Sequence, residues 1–216
     1  MIRPAAASSG SPVASRRVPR RGKSFAAPRT LVVATCLMAS AAVEAQFESS
    51  PGRADELPAS AIHVQEPAAD EVAVVINANA TFGNHAGIFV GPRLSDPAGS
   101  YAATRRRIAG WVQGLADYVR YQTTDGPRIR IYRFRLDPDS LAALASRLPE
   151  ADRAAPLYCA TAVQNAIAGI GPFVGIPSAG WTSPASVARL LDRLLTRLPD
   201  GGYCQLPDGT RCATEQ

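Results

Sequence analysis

Residues 71–90 read Glu71-Val-Ala-Val-Val-Ile-Asn-Ala-Asn-Ala-Thr-Phe-Gly-Asn-His85-Ala-Gly-Ile-Phe-Val90, and the fold turns on them. Val72, Val74, Val75 and Ile76 form a β-branched run suited to a pleated, half-buried surface. The turn-rich stretch Asn77–Asn84 follows, then a second strand pattern over His85–Val90, closed by Gly91-Pro92. Two strands joined by a short loop predict an antiparallel hairpin.

Downstream, the pattern changes to helical spacing. After the turn Asp96-Pro97-Ala98-Gly99-Ser100, apolar residues at Ile108, Trp111, Val112, Leu115 and Val119 predict one amphipathic helix over 101–121. Arg105, Arg106, Arg107 and Gln113 fall on its far side, as a solvated face. A strand is expected over 128–136, with Ile129 and Ile131 alternating with arginines before the pattern switches face at Tyr132 and Phe134. Asp139 is the expected N-cap of a helix carrying Leu141, Leu144 and Leu148 and stopped by Pro149. Cys159 opens a further helix through Ala162, Val163, Ala166 and Ile167, with Gly169 and Gly171 at its exit. Ser183-Pro184 starts the last one, striped by Val187, Leu190, Leu191, Leu194 and Leu198. The order β-β-α-β-α-α-α predicts α+β rather than a parallel, doubly wound sheet.

Upstream, the composition is different. The chain has 216 residues and a formal charge of +5, but residues 1–45 hold seven basic residues against Glu44, so the remainder carries 16 basic against 17 acidic residues. A near-neutral domain lacks the counterion-release drive toward phosphates, which argues against nucleic acid as a partner. No apolar run approaches the ~18 residues of a spanning helix, so no integral membrane span is expected. Residues 31–43 form a short apolar run behind the basic stretch and end at Val43-Glu44-Ala45, the layout of a secretory signal with cleavage after Ala45. This reading makes the protein periplasmic or secreted; a mis-chosen start or a disordered basic tail would leave it cytoplasmic. Residues 46–70, with Pro51, Pro58 and Pro67, read as a linker, and 71–216 as the domain.

Few residues are equipped for chemistry. Cys36 lies in the signal, and Cys204 and Cys212 bracket the turn former Pro207-Asp208-Gly209. They are either a disulfide across a hairpin, as an oxidising compartment would favour, or two reduced thiols near the C-terminus. That leaves Cys159 at a helix start, where unsatisfied amides and the helix dipole favour a thiolate. Of the two histidines, His63 lies in the polar linker, whereas His85 begins a strand beside the small residues Ala86 and Gly87. A thiolate paired with His85 would be a competent nucleophile, and Asp96, eleven residues further on, could fix the imidazole tautomer. Against this stand a core cysteine, a strand-end histidine and a turn aspartate. The loop 171–181 offers Phe173 and Trp181 as a substrate-binding rim, or as packing on the core.

Residues 84–101, Asn-His-Ala-Gly-Ile-Phe-Val-Gly onward to Ser-Asp-Pro-Ala-Gly-Ser-Tyr, resemble the histidine strand H-[AVS]-G-[IL]-[FY]-[VI] of the NlpC/P60 superfamily. Residues 158–163, Tyr-Cys-Ala-Thr-Ala-Val, are similar to its nucleophile segment. The cysteine here follows the histidine by 74 residues, an order that resembles the circularly permuted, papain-like branch, which includes lecithin:retinol acyltransferase-type proteins. The resemblance implies a papain-like α+β domain whose antiparallel sheet has helices packed on it, with Cys159 as nucleophile, His85 as base and Asp96 in the third place. Family members often carry His, Asn or Gln there, and Tyr158 stands where many have a small polar residue.

These readings lead to a cysteine-dependent amidase or peptidase working through an acyl-enzyme on a peptide or cell-wall fragment, with no metal or organic cofactor. The alternatives are an acyltransferase of the lecithin:retinol acyltransferase type and a catalytically silent binding module on the same fold.

Overall fold

The computed structural model describes residues 56–198 and 200–213. The expected signal, its cleavage point and Cys36 lie outside them. The described chain is α+β, with one five-stranded antiparallel sheet and helices packed on it. β1 (Glu71–Asn77) pairs with β2 (His85–Val90) with Val72 opposite Val90 and Asn77 opposite His85. On its other side β1 pairs with β4 (Ile129–Arg135). Two short strands, β3 (Arg93–Ser95) and β5 (Gly202–Gln205), complete the order β3-β2-β1-β4-β5.

All seven residues of β1 are buried, which explains why the strand reads as an unbroken apolar run rather than an alternation. Its side chains divide between two cores. Val72, Val74 and Ile76 face α3 (Pro138–Ala151), α4 (Cys159–Ile167) and α5 (Pro184–Arg197), where Leu144, Val163, Val187 and Leu191 pack. Ala73 and Val75 face the other way, into a core with Phe89, Tyr101, Leu115 and Tyr118, contributed in part by α1 (Tyr101–Arg105) and α2 (Leu115–Gln122).

Several expectations are corrected. The single helix over 101–121 is two short ones, because Gly110 takes φ 72° and Gly114 is extended, which breaks the helical path between them. Ile108 and Val112 are consequently exposed, and Arg105 turns inward to Glu56 and Asp117 instead of joining a solvated face. The N-cap of α3 is Asp137, whose carboxylate accepts from the Ser140 amide at 2.9 Å; Pro138 takes the first helical position and Asp139 is already inside. Pro149 lies in the last turn of α3 and does not stop it.

The described part of the expected linker, 56–70, lies against the domain. Val64 is buried, and the Glu66 carboxylate accepts from the Leu115 and Ala116 amides at 2.7 and 3.2 Å. Gly114, at the N-cap of α2, has no side chain to cap the helix, so the cap comes from this segment. The carbonyls of Gln65 and Glu66 also accept from Arg133, which is buried in an ion pair with Glu71. Cys204 and Cys212 are joined by a disulfide, with Cα atoms 5.3 Å apart. It ties β5 to the returning chain at the sheet edge, where the Cys212 amide donates to the Cys204 carbonyl.

Candidate active site

Cys159 is the first residue of α4, and Tyr158 at the N-cap supplies no side-chain acceptor. The first-turn amides are therefore not satisfied by a capping side chain. Cys159 is buried, at 6% exposure, and is the free cysteine of the described residues. His85 starts β2, and its imidazole lies near enough to Cys159 for each group to shift the titration of the other. The His85 Nε2 lies 2.6 Å from Asp96 Oδ1, which leaves Nδ1 as the ring nitrogen available to the sulfur. The structure thus brings Cys159, His85 and Asp96 together, from α4, from β2 and from the turn after β3.

The electrostatics favour an ion pair. Burial pushes the Cys159 thiol up, but the bond to His85, its charge, and the Ala86 and Ala160 amides together hold the thiol below its ordinary value. Burial pulls His85 down, and the hydrogen bonds to Asp96 and Cys159, reinforced by their charges, raise it to about 9. A lowered thiol beside a raised imidazole shifts the pair toward thiolate and imidazolium.

Asp96 is tightly held. Its Oδ1 also accepts from the Tyr118 hydroxyl at 2.8 Å, and its Oδ2 from the Tyr101 amide at 3.3 Å. The turn behind it closes through the Gly99 amide to the Asp96 carbonyl at 2.9 Å, with Ala98 forced to φ 56°. A Cβ at Gly99 would overlap the Asp96 carboxylate. Backbone strain at Ala98 is the sort retained where surroundings fix a functional geometry.

Tyr118 escaped the sequence reading because it was placed inside one long helix, off its stripe. The signal was in β2, where His85, Gly87 and Phe89 share one face and the glycine leaves a gap that some side chain must fill. The space at Gly87 serves Tyr118 rather than the imidazole: a Cβ there would overlap the Tyr118 hydroxyl.

The loop 171–181 divides. Phe173 is corrected: it is fully buried, edge-on to Phe134 with ring centroids 4.8 Å apart, and so belongs to the core and not to a substrate rim. Trp181 is 62% exposed. The next residue is anchored to α4, with the Thr182 amide donating to Thr161 Oγ1 at 2.9 Å. Leu157, at φ 72°, and Tyr158 are also exposed, immediately before the thiol. From Tyr158 a groove of about 530 Å³ runs between α3 and α4, past Ala151, Ala155, Thr161 and Ala162. A larger cavity, about 870 Å³, lies elsewhere, beside β4 and β5, and is lined by Arg130, Arg133, Tyr203 and Arg211 but by none of the three site residues. His63 is exposed, apart from the site.

Among the described residues no cluster of His, Cys, Asp and Glu is arranged to hold a metal ion, and no helix is long and apolar enough to cross a membrane. Comparison with family models, with curated proteins and with solved structures gave no match to this chain.

Proposed function

We propose that this protein is a cysteine-dependent amidase or peptidase that works by acyl transfer, on a domain of permuted papain-like type. The observation that carries the reading is the grouping of Cys159, His85 and Asp96, in which Asp96 is hydrogen-bonded to His85, the thiol is lowered and the imidazole is raised to about 9. Support for the fold assignment comes from the nucleophile at a helix start packed against the histidine strand of an antiparallel sheet, with histidine before cysteine in the chain.

The chemistry follows from the geometry. The Cys159 sulfur adds to the substrate carbonyl carbon, and the C=O π pair moves to oxygen. The first-turn amides of α4, which no capping side chain occupies, stabilise that oxyanion. As the carbonyl re-forms, the C–N bond breaks and His85 passes its Nδ1 proton to the leaving nitrogen, giving a thioester. Water then attacks with His85 as base, and the thiol is released with a carboxylate product. Asp96 keeps the proton on Nε2 and stabilises the imidazolium. A peptide, including a peptide of the cell wall, is the proposed substrate class.

The test is hydrolysis of a peptide library by the full chain, read by mass spectrometry. Cys159→Ala and His85→Ala are each expected to lower turnover at least 1,000-fold, in line with loss of a residue from a nucleophilic constellation. Hydrolysis that survives Cys159→Ala would refute the reading.

A further inference from the structure

The Tyr118 hydroxyl occupies space that Gly87 leaves open on β2. A Cβ at position 87 would overlap that oxygen and come within 2.9 Å of Cζ. Tyr118 itself is fully buried and boxed by aromatic rings, edge-on to Tyr101 at 5.0 Å and to Phe89 at 5.6 Å. Phenylalanine would supply the same packing. What the tyrosine adds is one hydroxyl, directed at Asp96 Oδ1 over 2.8 Å, the oxygen that meets His85 Nε2 at 2.6 Å.

We propose that Tyr118 is a positioning residue of this site, fixing the Asp96 carboxylate so that Oδ1 stays on His85 Nε2. The assignment rests on the reading of Cys159, His85 and Asp96 as the reacting groups. Asp96 lies in a turn, and a carboxylate rotates about its last bond unless its oxygens are anchored. The Tyr101 amide holds Oδ2 only at 3.3 Å, close to the limit of a useful hydrogen bond. The shorter anchor is the phenol. It is neutral and buried, so it orients the aspartate without cancelling the charge that supports the imidazolium.

The titratable groups facing His85 are Cys159 from α4, Asp96 from the turn after β3 and, behind Asp96, Tyr118 from α2. A reagent that senses the imidazolium charge therefore reports on this series. Iodoacetate is an anion, so its reaction with the thiolate is fastest while His85 is protonated and slows as that proton is lost. Alkylation is followed on the Cys159 peptide by mass spectrometry, which separates it from Cys36. The wild-type rate is expected to fall near pH 9.

Tyr118→Phe is expected to move that fall to lower pH by about half to one unit, because a carboxylate free to turn leaves Nε2 unpaired part of the time. Asp96→Asn is expected to move it further, and adding Tyr118→Phe to Asp96→Asn to move it no more, since Tyr118 acts through Asp96 alone. A purely structural tyrosine would lower thermal stability equally in both backgrounds and leave the pH profile in place, and that result overturns the assignment. So does a shift to higher pH, which would mean that the phenol merely competes with His85 for Oδ1. If wild-type Cys159 instead reacts as an ordinary thiol near its free value of about 8.5, the acyl-transfer reading falls and takes this assignment with it. An activated thiolate with an unmoved Tyr118→Phe profile removes the assignment only.

Discussion

One methyl group added at Gly87 should damage both stability and site. In Gly87→Ala the new carbon would overlap the Tyr118 hydroxyl and lie 2.9 Å from Cζ and 3.2 Å from Cε1. Restoring van der Waals contact requires the ring to retreat by about 1 Å. The ring is held by Tyr101 and Phe89, and overpacking of this sort costs about 1–3 kcal/mol. A retreat of that size would also stretch the 2.8 Å bond to Asp96 beyond hydrogen-bonding distance. The assay is urea unfolding of Gly87→Ala, of Tyr118→Phe and of the double variant, paired with the iodoacetate profile. Removing the hydroxyl removes the worst overlap, so the double variant should be more stable than Gly87→Ala alone by about 1 kcal/mol or more. Gly87→Ala with wild-type stability, or a double variant in which the two losses simply add, would refute the reasoning that this glycine exists to admit the phenol.

Two further outcomes follow from the electrostatics and the covalent frame. His85 is raised from 6.5 to about 9, so the stability it contributes is complete below its unfolded value and is lost as pH rises through about 9. Cys159 is lowered, so its contribution is present above its unfolded value and lost as pH falls through the folded one. The stability advantage of wild type over His85→Ala should therefore shrink between pH 7 and 10, by at most about 3 kcal/mol, as read by urea unfolding at each pH. The disulfide Cys204–Cys212 spans eight residues of sequence separation, and in the chain-entropy account its removal by a Cys204→Ser, Cys212→Ser pair costs about 2.5 kcal/mol. Calorimetry with and without reductant checks this, and equal melting of both forms would show that the hairpin closes without it.

Legibility in the sequence followed the range of the physics involved. The hairpin of β1 and β2 was readable because Val72–Ile76 and His85–Val90 are long enough for β-branched content and flanking turn residues to declare them. The helix starts at Cys159 and Ser183 were equally local, since a cap and the first turn are neighbours in the chain. What failed was long-range. β3 and β5, of three and four residues, gain their strand conformation from a partner already in place. The single helix over 101–121 looked continuous because apolar residues kept helical spacing across Gly110 and Gly114, and spacing alone does not show that a backbone has broken. Phe173 was ambiguous for a similar reason: an aromatic in a glycine- and proline-rich loop can face water or the core, and Phe134 settles it. Within the site, residue types pointed to Cys159, His85 and Asp96, but the support from Tyr118, Tyr101 and the Ala86 amide comes from segments whose meeting only folding defines.

The chain order also sets a timetable. Synthesis delivers His85 well before Cys159, which emerges 74 residues later, so the sheet strand bearing the imidazole leaves the ribosome ahead of the thiol it meets in the fold. Until α4 docks, the imidazole waits for the Cys159 sulfur. On the proposed function, the catalytic pair is therefore assembled only after α4 has been made and has docked.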